Sequence, residues 1–225
     1  KGQGFSFHHY RWAPTGAEAE LVYVADLAKM VPAYATSIEG AASIILSRDG
    51  HNLLAVWEHG CWSMPGGAVD EGEMKITALK RECREEVGIT LDDAFTPVYL
   101  GGYQRRRARD GKINDNFSAF AVRAACDNYT VDQKEIDIAM WLPWQELVDA
   151  WEAEGKPTHA KNIPLAVAAL PNERKMVSRN LLTWLDTYRS GRGLVCDITD
   201  NEVRFGTVGR HGQAGESERS NPTMY

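Results

Sequence analysis

An α/β fold with a C-terminal helical extension is what this chain predicts, on three observations. Apolar, strand-forming segments recur at 38–47 (IEGAASIILS), 52–58 (NLLAVWE), 95–104 (FTPVYLGGYQ) and 116–124 (NFSAFAVRA). Apolar residues then fall at helical spacing twice: Trp144, Leu147, Val148 and Trp151, and later Val177, Leu181, Trp184, Leu185 and Tyr188. Between the two strand pairs, residues 67–89 (GAVDEGEMKITALKRECREEVGI) hold a helix with a patterned acidic face.

The N-terminal elements come first. LVYVADL (21–27) reads as a strand, and Pro32 precedes a second extended piece. His8 and His9 are adjacent, so on a regular element they point apart, which favours a structural role over a metal pair. Asp49-Gly50 is a turn that returns 52–58 against 38–47. His59-Gly60 leads into CWSMPGG (61–67), where Gly66 and Gly67 after Pro65 permit backbone geometry that a side chain would block.

In the helix that follows, Glu82, Glu85 and Glu86 stand at i, i+3 and i+4 and so share one face. Like charges so placed repel, which makes physical sense if a divalent cation sits among them; carboxylate oxygens suit Mg²⁺ or Mn²⁺. Gly88 is placed to end the helix.

The spacing G-x5-E-x7-R-E-U-x-E-E-x-G-U, with U bulky and apolar, is met by Gly67, Glu73, Arg81, Glu82, Glu85, Glu86, Gly88 and Ile89, and it resembles the Nudix box. Cys83 stands where an aliphatic residue is usual, and buried cysteine behaves as a small hydrophobe. The resemblance implies a Nudix α/β/α sandwich with a mixed sheet. It implies Glu82, Glu85, Glu86 and the Gly67 carbonyl as ligands of Mg²⁺ or Mn²⁺, with Glu73 and Arg81 supporting them. The run from His8 through WSMPGG is similar to the eukaryotic branch holding fibroblast-growth-factor antisense Nudix proteins and plant ADP-ribose/NADH pyrophosphatases. That branch implies 1–35 as the remnant of a preceding segment and 36–152 as the Nudix domain; the residues themselves then read as a C-terminal extension over 153–208 and a glycine-, serine- and charge-rich flexible tail over 209–225.

After the box, 95–104 reads as a strand ending near the site and 105–115 (RRRARDGKIND) as a charged loop. Arg105, Arg106, Arg107 and Arg109 form the densest cationic cluster; Arg105 and Arg107 are candidate contacts for substrate phosphates or RNA. KEIDIAMWLPW (134–144) resembles the strand and helix start that close a Nudix sheet. There Glu135 is the candidate general base, with Asp132 and Asp137 as competitors. Trp144 and Trp151 read as core, with adenine stacking as the alternative. Residues 152–171 are polar and proline-punctuated. Asn172 is placed to cap a helix over 173–190 that Gly191 ends, and 194–208 reads as a hairpin around Asp200-Asn201.

Composition narrows the function classes. The 225 residues are 44% hydrophobic and 25% charged, as in ordinary globular domains, and the net charge of −6 argues against broad nucleic-acid binding. Cys61, Cys83, Cys126 and Cys196 lack C-x-x-C spacing and read as reduced thiols. No apolar run approaches a membrane span, and no signal peptide is visible. Reduced thiols point to an intracellular compartment, the cytoplasm, or the mitochondrion or plastid if the start at Lys1 without methionine reflects a removed transit peptide rather than a trimmed chain. The expected activity is hydrolysis of the pyrophosphate bond in a nucleotide substrate, ADP-ribose or NADH first. The alternatives are removal of an RNA cap, hydrolysis of a diphosphoinositol polyphosphate, or a Nudix-fold subunit of a larger assembly. A homodimer is also compatible with the family.

Overall fold

The computed structural model describes the backbone of residues 5–13, 16–23, 37–106, 114–198 and 203–207, and the side chains over 37–105 and 114–196. The described residues fall into two compact units. The smaller contains a hairpin of β1 (Phe5–Ala13) and β2 (Gly16–Tyr23), antiparallel from Phe5↔Tyr23 to Ala13↔Gly16 with a bulge between Phe7 and His9. The strand expected over 21–27 is thus described as far as Tyr23. The extended piece expected after Pro32 begins in residues outside the described set, and the Asp200-Asn201 turn and the tail from Gly209 also lie outside it.

The remaining elements, in the larger unit except for residues 37–38, 105–106 and 114–115 at the ends of β3, β7 and β8, are in chain order β3 (Ser37–Leu46), β4 (Asn52–Glu58), β5 (Cys61–Ser63), β6 (Gly66–Ala68), α1 (Lys75–Val87), β7 (Val98–Arg106), β8 (Asn114–Arg123), β9 (Ile138–Pro143), α2 (Trp144–Ala153), β10 (Asn162–Pro164), β11 (Met176–Ser178), α3 (Arg179–Arg189), β12 (Leu194–Ile198) and β13 (Val203–Thr207). Their strand order is β10-β11-β5-β4-β3-β8-β7-β12-β13, with β6 paired to β3 and β9 to β4. The sheet is mixed: β11 joins β5 in parallel at Val177↔Trp62, whereas β4 is antiparallel to β3, β5 and β9.

Strand β4 shows why the layers form. Leu53, Leu54, Ala55 and Val56 are all fully buried, as a strand covered on both faces must be. Leu53 and Ala55 pack with Leu147 and Val148 of α2 and Leu181 and Leu185 of α3. Leu54 and Val56 pack with Cys83 and Val87 of α1 and with Ile136 and Ala139. Helices therefore cover both faces, an α/β/α sandwich with α1 on one side and α2 and α3 on the other. Trp144 and Trp151 belong to the core; the Trp144 indole donates to Gly50 O at 2.9 Å.

The C-terminal helix corrects the sequence reading. The structure begins it at Arg179, and 176–178 is a strand. Asn172 is therefore no helix cap. Val177 does have helical spacing to Leu181, but its backbone is taken by Ile163 on one side and Trp62 on the other. The Trp62 indole also donates to Arg174 O at 2.9 Å. These partners lie far away in sequence, and tertiary pairing overrides local periodicity. The 95–104 strand likewise starts later, at Val98, because 92–95 is a turn in which Asp92 Oδ1 accepts from Ala94 N.

Candidate functional site

Helix α1 presents the box. Its C-terminus is closed by Gly88 at φ 66°, whose N–H donates to Arg84 O while Ile89 N donates to Cys83 O. A Cβ at Gly88 would stand 3.1 Å from Thr130 N and O, because the 130–132 segment lies against the helix end. Thr130 N donates to Val87 O and Asp132 N to Glu86 O, both at 2.9 Å. The turn carrying Glu135 is thereby tied to the last turn of α1.

Strand β6 closes the other side, pairing with β3 at Ala41↔Gly67 and Ala42↔Gly66. Gly66 N donates to Glu86 Oε2 at 3.0 Å. A Cβ at Gly67 would overlap the Glu82 carboxylate, so only glycine lets the strand approach the helix this closely.

Arg81 joins the parts. Its Nε and Nη2 hold Glu73 at 3.2 and 2.9 Å, and Nη2 also donates to Ala68 O at 2.9 Å. Nη1 spans Glu82 Oε1 at 2.7 Å and Glu85 Oε2 at 3.3 Å. Hydrogen bonding to Glu73 and then to Glu82 raises the guanidinium pKa further above its already high value. The same Arg81 bond holds the Glu73 carboxyl below the usual range.

Glu86 is the electrostatically exposed member of the group. Desolvation pushes its carboxyl up to about 8 against the Gly66 N–H bond, and the charges of Glu82, Glu58 and Glu135 push the same way. Among the described residues no Lys or Arg forms an ion pair with Glu86, Arg81 being taken up by Glu73, Glu82 and Glu85. Glu82 and Glu86 are buried, whereas Glu85 faces solvent. Among the described residues no three His, Cys, Asp or Glu side chains stand at metal-holding spacing. Arg81 draws Glu82 and Glu85 to itself in this arrangement. The chemistry nevertheless fits a hard divalent cation: several carboxylates around a carbonyl-bearing glycine loop, one of them without cationic compensation.

The expected site residues thus separate into groups. Gly67, Glu73, Arg81, Glu82, Glu85 and Glu86 come together, and Glu135 lies within electrostatic reach of Glu86. Asp132 has its Oδ1 accepting from Lys134 N at 3.0 Å, and Asp137 is exposed just before β9. Arg105 pairs with Asp115 at 2.8 Å within the smaller unit; Arg107 lies outside the described residues. A cavity of about 270 Å³, lined by Ile76, Leu79, Lys80 and Leu91 among others, shares none of the box carboxylates.

Sequence reading missed two features. One is Glu58, at the end of β4. The other is a polar chain beside β6: Asn116 Nδ2 donates to Glu39 Oε1 at 2.6 Å, Lys75 Nζ stands 2.9 Å from Glu39 Oε2 and donates to Ser118 Oγ at 2.9 Å, and Glu39 O accepts from Val69 N. Neither has a motif; both arise from strands brought side by side. Burial pulls the Glu39 carboxyl up, but Lys75 and Asn116 outweigh it and hold it below its usual value. A depressed pKa contributes stability that is present above the unfolded value and lost as pH falls through the folded one. Thermal melts of Glu39→Gln should therefore sit below wild type near neutrality and converge with it on acidification below about pH 4.5. A constant offset down to about pH 3 would contradict this.

The NUDIX domain family model matches residues 38–166, more than half of the chain. Nudix hydrolase 7 of Arabidopsis thaliana is 30% identical over 158 residues, covering 65% of this chain and 52% of that protein. Nucleoside diphosphate-linked moiety X motif 6 of Xenopus laevis is 33% identical over 91 residues, covering 39% and 41%. A crystal structure of a MutT Nudix hydrolase from Burkholderia pseudomallei aligns with 25% identity over 48% of this chain and 84% of its own, at a TM-score of 0.41. The chain spans about half the length of the curated relatives it matches. With the complete box folded as one unit and the family match covering it, this chain belongs to the Nudix family.

Proposed function

We propose that the chain is a divalent-cation-dependent hydrolase of the pyrophosphate bond in nucleoside diphosphate-linked substrates, with ADP-ribose and NADH as the first candidates. The observation that carries this reading is the packing of Glu82 and Glu86 against Gly66-Gly67, two buried carboxylates brought together on one helical face beside a glycine strand. Glu82, Glu85, Glu86 and the Gly67 carbonyl are the groups that would hold Mg²⁺ or Mn²⁺. Such a cation neutralises the diphosphate and lowers the pKa of bound water. Glu73 and Arg81 position the loop against the helix. Glu135 is assigned as the base that takes the proton of the attacking water. Water attacks one phosphorus, and the bond from that phosphorus to the bridging oxygen breaks. ADP-ribose then gives AMP and ribose 5-phosphate; NADH gives AMP and reduced nicotinamide mononucleotide.

The test is turnover with Mg²⁺ or Mn²⁺ across ADP-ribose, NADH, NAD, coenzyme A, capped RNA and a diphosphoinositol polyphosphate. Cleavage of ADP-ribose or NADH supports the specific reading. Preference for capped RNA or the inositol compound would replace the substrate and keep the chemistry. Silence across the set, with folded protein, would favour a Nudix-fold subunit of an assembly.

A further inference from the structure

We propose that Glu58, on the strand before the box, is a further carboxylate of the cation centre. This rests on the cation-binding reading of the box and extends it to a residue outside the motif.

Placement is the first argument. Leu54 and Val56 of β4 face α1, packing with Cys83 and Val87. Side chains alternate along a strand, so Glu58 is next in that row. Cys83 to Val87 is the turn of α1 that carries Glu86.

Rigidity is the second. Glu58 pairs with Cys61 as the last rung before a two-residue turn. His59 and Gly60 there have φ values of 50° and 79°, so both central residues are left-handed, as a hairpin matched to strand twist requires. Histidine adopts this conformation at some cost, which a less constrained connection would avoid. The tight turn fixes where the Glu58 backbone ends.

Charge is the third. Among the described residues the ion-pair partner of Glu58 is His59, 3.7 Å away, a contact that is ionic only when the imidazole is protonated. The Glu58 side chain is 32% exposed, partly withdrawn from water. Its charge reaches both Glu86 and Cys61. Arg81 compensates Glu73, Glu82 and Glu85, whereas among the described residues no Lys or Arg forms an ion pair with Glu58, Glu86 or Glu135, and the charge of Lys161 is felt at Cys61 against that of Glu58. A divalent ion supplies the missing charge and makes use of all three.

The experiment is a Mn²⁺ titration of the full chain, followed by the electron paramagnetic resonance of free Mn²⁺. It compares wild type with Glu58→Gln, Glu86→Gln and, as a surface control, Glu71→Gln. Loss of a group supporting a metal site lowers affinity by about 10- to 100-fold. The expected result is a loss of about tenfold or more in Glu58→Gln with an unchanged melting temperature in EDTA, and wild-type affinity in Glu71→Gln. Wild-type affinity in Glu58→Gln alongside loss in Glu86→Gln would overturn the Glu58 assignment and leave the box reading intact. Absence of a Mn²⁺ site in wild type would overturn both.

Discussion

Glu86→Gln is expected to abolish nearly all hydrolysis while leaving the fold at least as stable as wild type in EDTA. The two halves have one cause. Glu86 is buried, and the charges of Glu82, Glu58 and Glu135 act against its ionised form. Glutamine mimics the neutral carboxyl that burial favours, and its amide oxygen can still accept from Gly66 N, as Oε2 does at 3.0 Å. Stability therefore does not suffer, because the variant carries no buried charge there. The capacity to hold a divalent cation does suffer. Since groups that merely support a metal ligand are worth about 10- to 100-fold, loss of Glu86 as the proposed direct ligand should lower kcat by more than about 100-fold. Activity assays and EDTA melts on the same preparation check both halves. A variant that melts far below wild type would contradict the electrostatic account even if it were inactive.

Arg81→Lys is the second large effect, and here stability and activity should fall together. The guanidinium makes contacts in three directions: Glu73 and Ala68 O in the loop, Glu82 in the first line of the site, and Glu85 at its edge. Lysine keeps the charge but lacks the planar fork that meets the loop and the helix at once. Glu73 and Glu82 are both mostly withdrawn from water, with side chains 12% and 11% exposed, so unpairing either is costly. A loss of about 2–3 kcal/mol is expected, from hydrogen bonds to charged groups at a partly solvated site. Urea unfolding of the metal-free protein measures it. Equal stability of the two proteins would mean that the guanidinium geometry holds nothing in place.

The parts of the site that were legible in the sequence share a property: their spacing is dictated by one helix and the short loop before it. Glu82 and Glu86 lie on one helical face whatever else the protein does, and Gly67 must be small because Glu82 stands where its side chain would be. The residues that were not legible are those joined through the sheet. Glu58 is an ordinary strand-end glutamate until β4 is laid beside β5 and under α1. Glu39, Lys75 and Asn116 become a unit only when β3, α1 and β8 meet. The fold divides in the same way. The pairing of β3 with β4 across the Asp49-Gly50 turn and the amphipathic face of α2 follow local pattern. The start of α3 does not, because Val177 is claimed by Trp62 and Ile163 rather than by its own helical periodicity.

The most direct test of the central claim is a ³¹P NMR time course of ADP-ribose with Mg²⁺ and the full chain, with Glu86→Gln in parallel. The account predicts that the diphosphate signals of ADP-ribose decay and are replaced by those of AMP and ribose 5-phosphate with wild type, and persist with the variant. Equal rates from wild type and Glu86→Gln, or an intact diphosphate in the presence of wild type that demonstrably binds Mn²⁺, would contradict it.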